Sequence, residues 1–200
     1  MTDEPTELCE LAFKYGSDKC PRLKHSYTPV YYEMFKDRRN SIKKVLEVGI
    51  GYYKTINGIP LTFDQNLNRK NYHGAGLKMW RDFFTNAQIY GADIVPDALM
   101  TDERIATFLC DETKKEDIEN LIRQTGSDID IFVDDGSHRW RDQVFLAKTI
   151  LPLLKKDVIY VIEDVKLFEE ITKALSDYEI NIPNFVKKLP DDRLLFVRNK

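Results

Sequence analysis

Five short apolar runs recur along the chain: "KKVLEVGI" (43–50), "AQIYGADI" (87–94), "IATFLCD" (105–111), "IDIFVDD" (129–135) and "VIYVIEDV" (158–165). They are rich in valine and isoleucine and nearly continuous in hydrophobicity, the pattern of strands buried on both faces of a parallel sheet. Between them, "GLKMWRDFFTN", "KKEDIENLIRQTG" and "RDQVFLAKTILPLLKK" place apolar residues at helical spacing, with Gly126 as a stop signal in the second. Strand and helix in alternation predict an α/β fold with a doubly wound, mostly parallel sheet.

The end breaks that rhythm. After a helical "LFEEITKALSD", two strand candidates, "EINIPNFVKKL" and "RLLFVRNK", are separated only by "PDD". That is too short for a parallel crossover, so they predict an antiparallel hairpin at the sheet edge. Five parallel strands closed by such a hairpin describe the Rossmann-like sheet of class I methyltransferases better than the six-stranded dinucleotide fold.

Composition narrows the class. The 200 residues suffice for one compact core, and 42% hydrophobic with 32% charged residues is ordinary for a globular domain. We expect a single domain over 1–200: an N-terminal helical segment, 1–40, covering a cofactor site, and a sheet core, 41–200. A net charge of −3, with basic residues scattered among acids, disfavours nucleic acid as partner. No segment reads as a secretory signal or a membrane span. Cys9, Cys20 and Cys110 are an odd number without C-x-x-C spacing, which argues against disulfides and zinc. The expectation is a reduced, cytoplasmic protein.

Candidate chemistry begins at the first strand. "VLEVGIG" places Glu47, Gly49 and Gly51 at its carboxyl end, where open α/β sheets bind ligands. A dinucleotide would want G-x-G-x-x-G running into a helix, but the continuation is "GIGYYK". S-adenosylmethionine carries no phosphate and has an ammonium that Glu47 can bind directly or through water. Asp93, at the tip of the second strand, can accept from two ribose hydroxyls, and Asp111, at the tip of the third, would lie near adenine.

Asp134 and Asp135 end the fourth strand; Glu163 and Asp164 end the fifth. Neighbouring parallel strands lie ~4.8 Å apart, so these acids converge on one edge. Each alone would be a helix cap, but together they repel, and a divalent cation resolves the conflict. All-oxygen ligands suit magnesium, manganese or calcium. His138, three residues beyond Asp135, is placed to take a proton near neutrality. His25 and His73 have no such company and are assigned no chemistry.

The stretches "LAFKYGSDK", "HSYTPVYYEMF", "VLEVGIG", "MWRDFF", "DIDIFVDDGSHRW" and "YVIED", in that order over about residues 11–165, resemble the catalytic domain of the macrolide-sugar O-methyltransferases. The resemblance implies S-adenosylmethionine as methyl donor, Mg2+, and a sugar hydroxyl as acceptor. It further implies Asp135, Glu163 and Asp164 as metal ligands, His138 as general base, and Ser17 near the methionyl carboxylate of the cofactor. Two features depart from the family. The polar segment over 52–73, expected to form a lid or substrate wall, is long, and Glu112 stands where family members usually carry glutamine. An NAD-dependent oxidoreductase, a methyltransferase for polyphenols and a non-catalytic binding protein are the competing readings. The incomplete glycine fingerprint counts against the first, and the intact "DDGSH" and "IED" against the last.

Overall fold

A computed structural model describes residues 5–51, 55–56, 59–60, 73–185, 187, 189 and 192–200. Its centre is β1 (Lys44–Val48), which pairs in parallel with β4 (Gln88–Asp93) on one side and β7 (Ile131–Asp134) on the other. Outward from these lie β6 (Ile105–Leu109) beside β4 and β8 (Ile159–Ile162) beside β7, both parallel to their neighbours. All five expected strands are present, and every residue of β7 and β8 is buried, as their continuous apolar runs require.

The sheet is closed by antiparallel strands. β5 (Thr101–Asp102) edges β6, while β10 (Leu195–Arg198) lies between β8 and β9 (Glu179–Asn181). The expected terminal hairpin exists with a longer connection than "PDD". β9 stops at Asn181, and Pro183, which has no N–H to give to a ladder, stands two residues further on. Thr55–Ile56 (β2) and Ile59–Pro60 (β3) pair as a separate ribbon, and the lid expected over 52–73 otherwise lies largely outside the described residues.

Period-two alternation sends side chains to two cores. Val45, Ile89, Ile131 and Val161 face α1 (Glu7–Tyr15), α2 (Tyr27–Phe35) and α3 (Ala75–Phe83). Leu46, Val48, Phe132 and Tyr160 face α4 (Lys115–Thr125), α5 (Trp140–Ile150) and α6 (Phe168–Ala174). α1 is capped at both ends. The Thr6 hydroxyl accepts the Cys9 N–H, and Gly16, at φ 78°, turns the chain so that the Gly16 and Ser17 amides bond Phe13 and Ala12. This turn sends residues 17–26 back over the carboxyl edge of the sheet.

Register then fixes the site. Val48 pairs with Asp134, and Asp134 with Ile162, so the residues just beyond these positions, Gly49, Asp135 and Glu163, form one row.

Candidate active site

At the end of β1, Gly49 has φ +88°, and a Cβ there would fall 2.0 Å from the Asp135 carbonyl oxygen. Only glycine permits this approach. The turn opens a cleft of about 400 Å³, lined among others by Gly49, Asp93, Asp111, Glu112 and Gly136. Asp93 accepts the Ile50 N–H at 3.0 Å on one oxygen and the Val95 N–H at 2.9 Å on the other. Each oxygen keeps a second lone pair for a ligand donor. Asp111 accepts both the N–H and the hydroxyl of Thr113, bonds that hold its carboxyl below the usual range. Glu112 accepts the Ser137 N–H at 2.7 Å, and burial pushes its carboxyl up. Its carboxyl packs directly over Gly136, where a Cβ would lie 1.7 Å from Oε2 unless the Glu112 side chain moved. Gly51 also has a positive φ, +76°.

Glu47 stands apart from this cleft. It shares a sheet face with Val45, so it points toward α3, where Trp80 Nε1 donates to it at 2.5 Å and Lys19 Nζ lies 3.4 Å away. It is buried, and burial raises its carboxyl.

The second half of the site gathers under residues 17–31. Lys19, 2% exposed, contacts Asp135 and places its Nζ 2.6 Å from Glu163 Oε2. Burial opposes its charge, yet Asp135, Glu163 and Glu47 hold its pKa well above the ordinary value. The Tyr31 hydroxyl donates to the other Glu163 oxygen at 2.5 Å, and the Tyr27 hydroxyl to Asp164 Oδ1 at 2.5 Å. These tyrosines are four apart on α2 and so share one helix face. Burial lifts the carboxyls of both Glu163 and Asp164; Asp135, also desolvated, is brought below its ordinary range by Lys19 and His138.

His138 bridges two of the acids, with Nε2 3.0 Å from Asp135 Oδ1 and Nδ1 3.3 Å from Asp164 Oδ2. Burial works against its charge, but the two carboxylates push its pKa up to about 9. His138 and Asp164 both have positive φ, 54° and 51°, a conformation costly for side-chain-bearing residues and concentrated at functional sites.

Three of the sequence-predicted residues thus meet. Asp135, His138 and Asp164 each offer an atom within 4.8 Å of the others, a spacing that can hold one metal ion. Glu163 stands behind them, engaged by Lys19 and Tyr31. Asp134 points to the opposite face, fully buried, with the Tyr160 hydroxyl 3.0 Å from its Oδ2. The donor set fits a divalent cation: four acids, Glu47, Asp135, Glu163 and Asp164, meet one lysine and two histidines in a buried space.

Sequence reasoning missed Lys19, Tyr27, Tyr31 and His25. His25, read from the sequence as without chemistry, is buried, with Nδ1 3.2 Å from Asp192 and Nε2 3.5 Å from Asp164 Oδ1. A helix stop in "KYGSDK" and paired tyrosines in "YTPVYY" were the available signals. Ser17 is buried at that stop, two residues before Lys19.

A sheet in this order, with a glycine turn on its central strand and an antiparallel closing strand, is the class I methyltransferase fold. The chain is homologous to the macrolide-sugar O-methyltransferases whose motifs it resembles. It is 33% identical over 159 residues to mycinamicin VI 2''-O-methyltransferase of Micromonospora griseorubida, a match covering 80% of this chain and 36% of that protein. It is 31% identical to demethylmacrocin O-methyltransferase of Streptomyces fradiae, covering 82% of this chain and 38% of that one. The crystal structure of the MycE methyltransferase from the mycinamycin biosynthetic pathway, in complex with Mg and SAH, superposes with a TM-score of 0.73 at 26% identity. That superposition covers 98% of this chain and 55% of MycE. The chain therefore spans little more than a third of the curated relatives it matches. No family model matches the chain.

Proposed function

We propose that this chain transfers the sulfonium methyl group of S-adenosylmethionine to a hydroxyl of a sugar carried by a small molecule or glycan, with magnesium as the metal. One observation carries the reading: a cluster of Asp135, His138 and Asp164 stands on the same sheet edge as the cleft lined by Gly49, Asp93 and Asp111. The relatives named above are O-methyltransferases, and MycE was crystallised with Mg and SAH.

In this reading the cofactor lies in the cleft. Gly49 and Gly51 let the backbone approach it, Asp93 takes the ribose hydroxyls, and Asp111 and Glu112 flank adenine. Ser17 is assigned to the methionyl carboxylate. Glu47 contributes at one remove, by helping to hold Lys19. Asp135 and Asp164 supply oxygen ligands, with Glu163 the third candidate behind them. Bound there, magnesium supplies the Lewis acidity that lowers the pKa of a chelated hydroxyl. His138 accepts the hydroxyl proton at Nε2. With its pKa at about 9 the ring holds a proton at neutral pH, so it works as a base only when the charge of Asp135 and Asp164 is taken up elsewhere. Holding acceptor oxygen and methyl carbon ~3 to 3.5 Å apart is the larger contribution. Residues 1–40 and 41–200 act here as one domain, and the buried free thiols Cys9, Cys20 and Cys110 fit a reducing cytoplasm. Among the described residues no helix is long and apolar enough to cross a membrane.

A thermal-shift panel with S-adenosylmethionine, S-adenosylhomocysteine and NAD, each with magnesium or a chelator, tests this. A ligand at 100 times its dissociation constant adds about 2.7 kcal/mol of stability. Stabilisation by both sulfur cofactors, and further by magnesium, is expected; stabilisation by NAD alone overturns the reading.

A further inference from the structure

We infer that the acceptor carries a carboxylate, held by Arg193 in a second cavity beside Asp164. The inference rests on the methyl-transfer reading above and names the class of acceptor, an acidic glycoside. The cavity measures about 530 Å³ and is formed by residues that follow β8 and by residues between β9 and β10. β10 runs antiparallel to β8, so its start lies at the same carboxyl edge as Asp135 and Asp164. The strand order β4-β1-β7-β8-β10 then sets three features in a row: the cofactor cleft, the acid cluster and this cavity. Two contacts tie the cavity to the cluster. The Val165 N–H, next to Asp164, bonds the Arg193 carbonyl at 3.5 Å, and the Phe185 ring meets Tyr27 edge-on at 6.2 Å.

The walls pair apolar surface with unmatched charge. Phe168, Ile182 and Phe185 suit the face of a sugar ring or an apolar aglycone. Lys166, Lys187 and Arg193 bring positive charge, and none of them has an ion pair among the described residues. Arg193 is half-buried, with its guanidinium carbon 5.6 Å from the Phe168 ring centroid. Its Nε is buried and has no hydrogen-bond partner among the described residues. A guanidinium drawn out of water without a counter-charge is costly, and a carboxylate in the cavity supplies both the charge and the acceptor oxygens. Glu169 and Glu170 also line the cavity, so the three cations face two acids, and the balance suits one negative charge rather than a phosphate dianion.

Three probes separate the sources of the charge: phenyl β-D-glucoside has no acid, phenyl β-D-glucuronide has one on the sugar, and 4-carboxyphenyl β-D-glucoside has one on the aglycone. Their binding to wild type, R193Q and K166Q, each with S-adenosylhomocysteine and Mg2+, is measured by isothermal titration calorimetry, with melting curves alongside. We expect at least one of the two acids to bind wild type about 10- to 100-fold more tightly than the neutral glucoside. R193Q should abolish that preference, and K166Q, at an exposed position, should reduce it about two- to fivefold. Absence of an acid preference in wild type, or a preference that survives in R193Q, overturns the inference and leaves methyl transfer standing. If R193Q does not fold, K166Q decides, and an unreduced preference there overturns the inference. If S-adenosylhomocysteine does not bind wild type, the methyl-transfer reading itself fails and this inference falls with it.

Discussion

Strand β7 is preceded by one aspartate, Asp130, and ends on another, Asp134, and their environments are opposites. At its amino end Asp130 accepts the backbone N–H groups of Lys43 and Lys44, contacts Lys155, and is held below the usual carboxylate range despite partial burial. Nearby Asp128 is likewise lowered by Lys44. At the carboxyl end Asp134, Glu163 and Asp164 are all pushed up, chiefly by burial. One end of the sheet spends acids on stability, while the other accumulates charge that the fold alone does not neutralise. The carboxyl end is where a class I sheet binds its ligands, and the crowding there supports the site proposed above.

The largest disturbance of this contrast is removal of the buried lysine at the crowded end, Lys19. Lys19→Met leaves Asp135, Glu163 and Glu47 without their shared cation. Breaking a buried ion pair from one side costs about 3 to 5 kcal/mol. Urea denaturation measures it, and a loss below about 1 kcal/mol would show that the acids are neutralised by other means.

His138 probes the same end through chemistry. His138→Ala should lower turnover about 10²- to 10⁴-fold while leaving S-adenosylmethionine affinity intact. His138→Gly removes the same imidazole but suits the observed φ of 54°, so it should be more stable than the alanine variant by about 1 kcal/mol. Equal stability would mean that the backbone relaxes once the ring is gone.

Much of this was legible in the sequence, and the rest was hidden for physical reasons. Fully buried strands advertise themselves as unbroken apolar runs, and parallel pairing then forces Gly49, Asp135 and Glu163 into one row. The opposite facing of Asp134 and Asp135, and of Glu47 away from the cleft, follows from period-two alternation and was readable in principle. Lys19, Tyr27, Tyr31 and His25 were not readable in that way. They meet partners 116 to 167 positions away, and no local pattern encodes where a capped helix sends its following loop.

The smallest and sharpest test compares the two ends of β7 directly. Asp130→Asn gives up a charged acceptor of two N–H groups and one ammonium, and should cost about 1 to 2 kcal/mol at pH 7. Because the folded pKa of Asp130 lies below its unfolded value, that contribution is present above about pH 4 and is lost as pH falls through the folded pKa. Asp134→Asn removes a carboxyl whose folded pKa lies above its unfolded value. That group favours the fold below about pH 4, and its contribution is lost as pH rises toward the folded pKa. The asparagine keeps an oxygen for the Tyr160 hydroxyl, so the variant should match or exceed wild-type stability at pH 7. Urea midpoints for both variants between pH 3 and 7 decide the matter. A loss for Asp134→Asn as large as that for Asp130→Asn would mean that the buried Asp134 carboxyl is as well neutralised in the fold as Asp130, and the contrast between the two ends of β7 would fall.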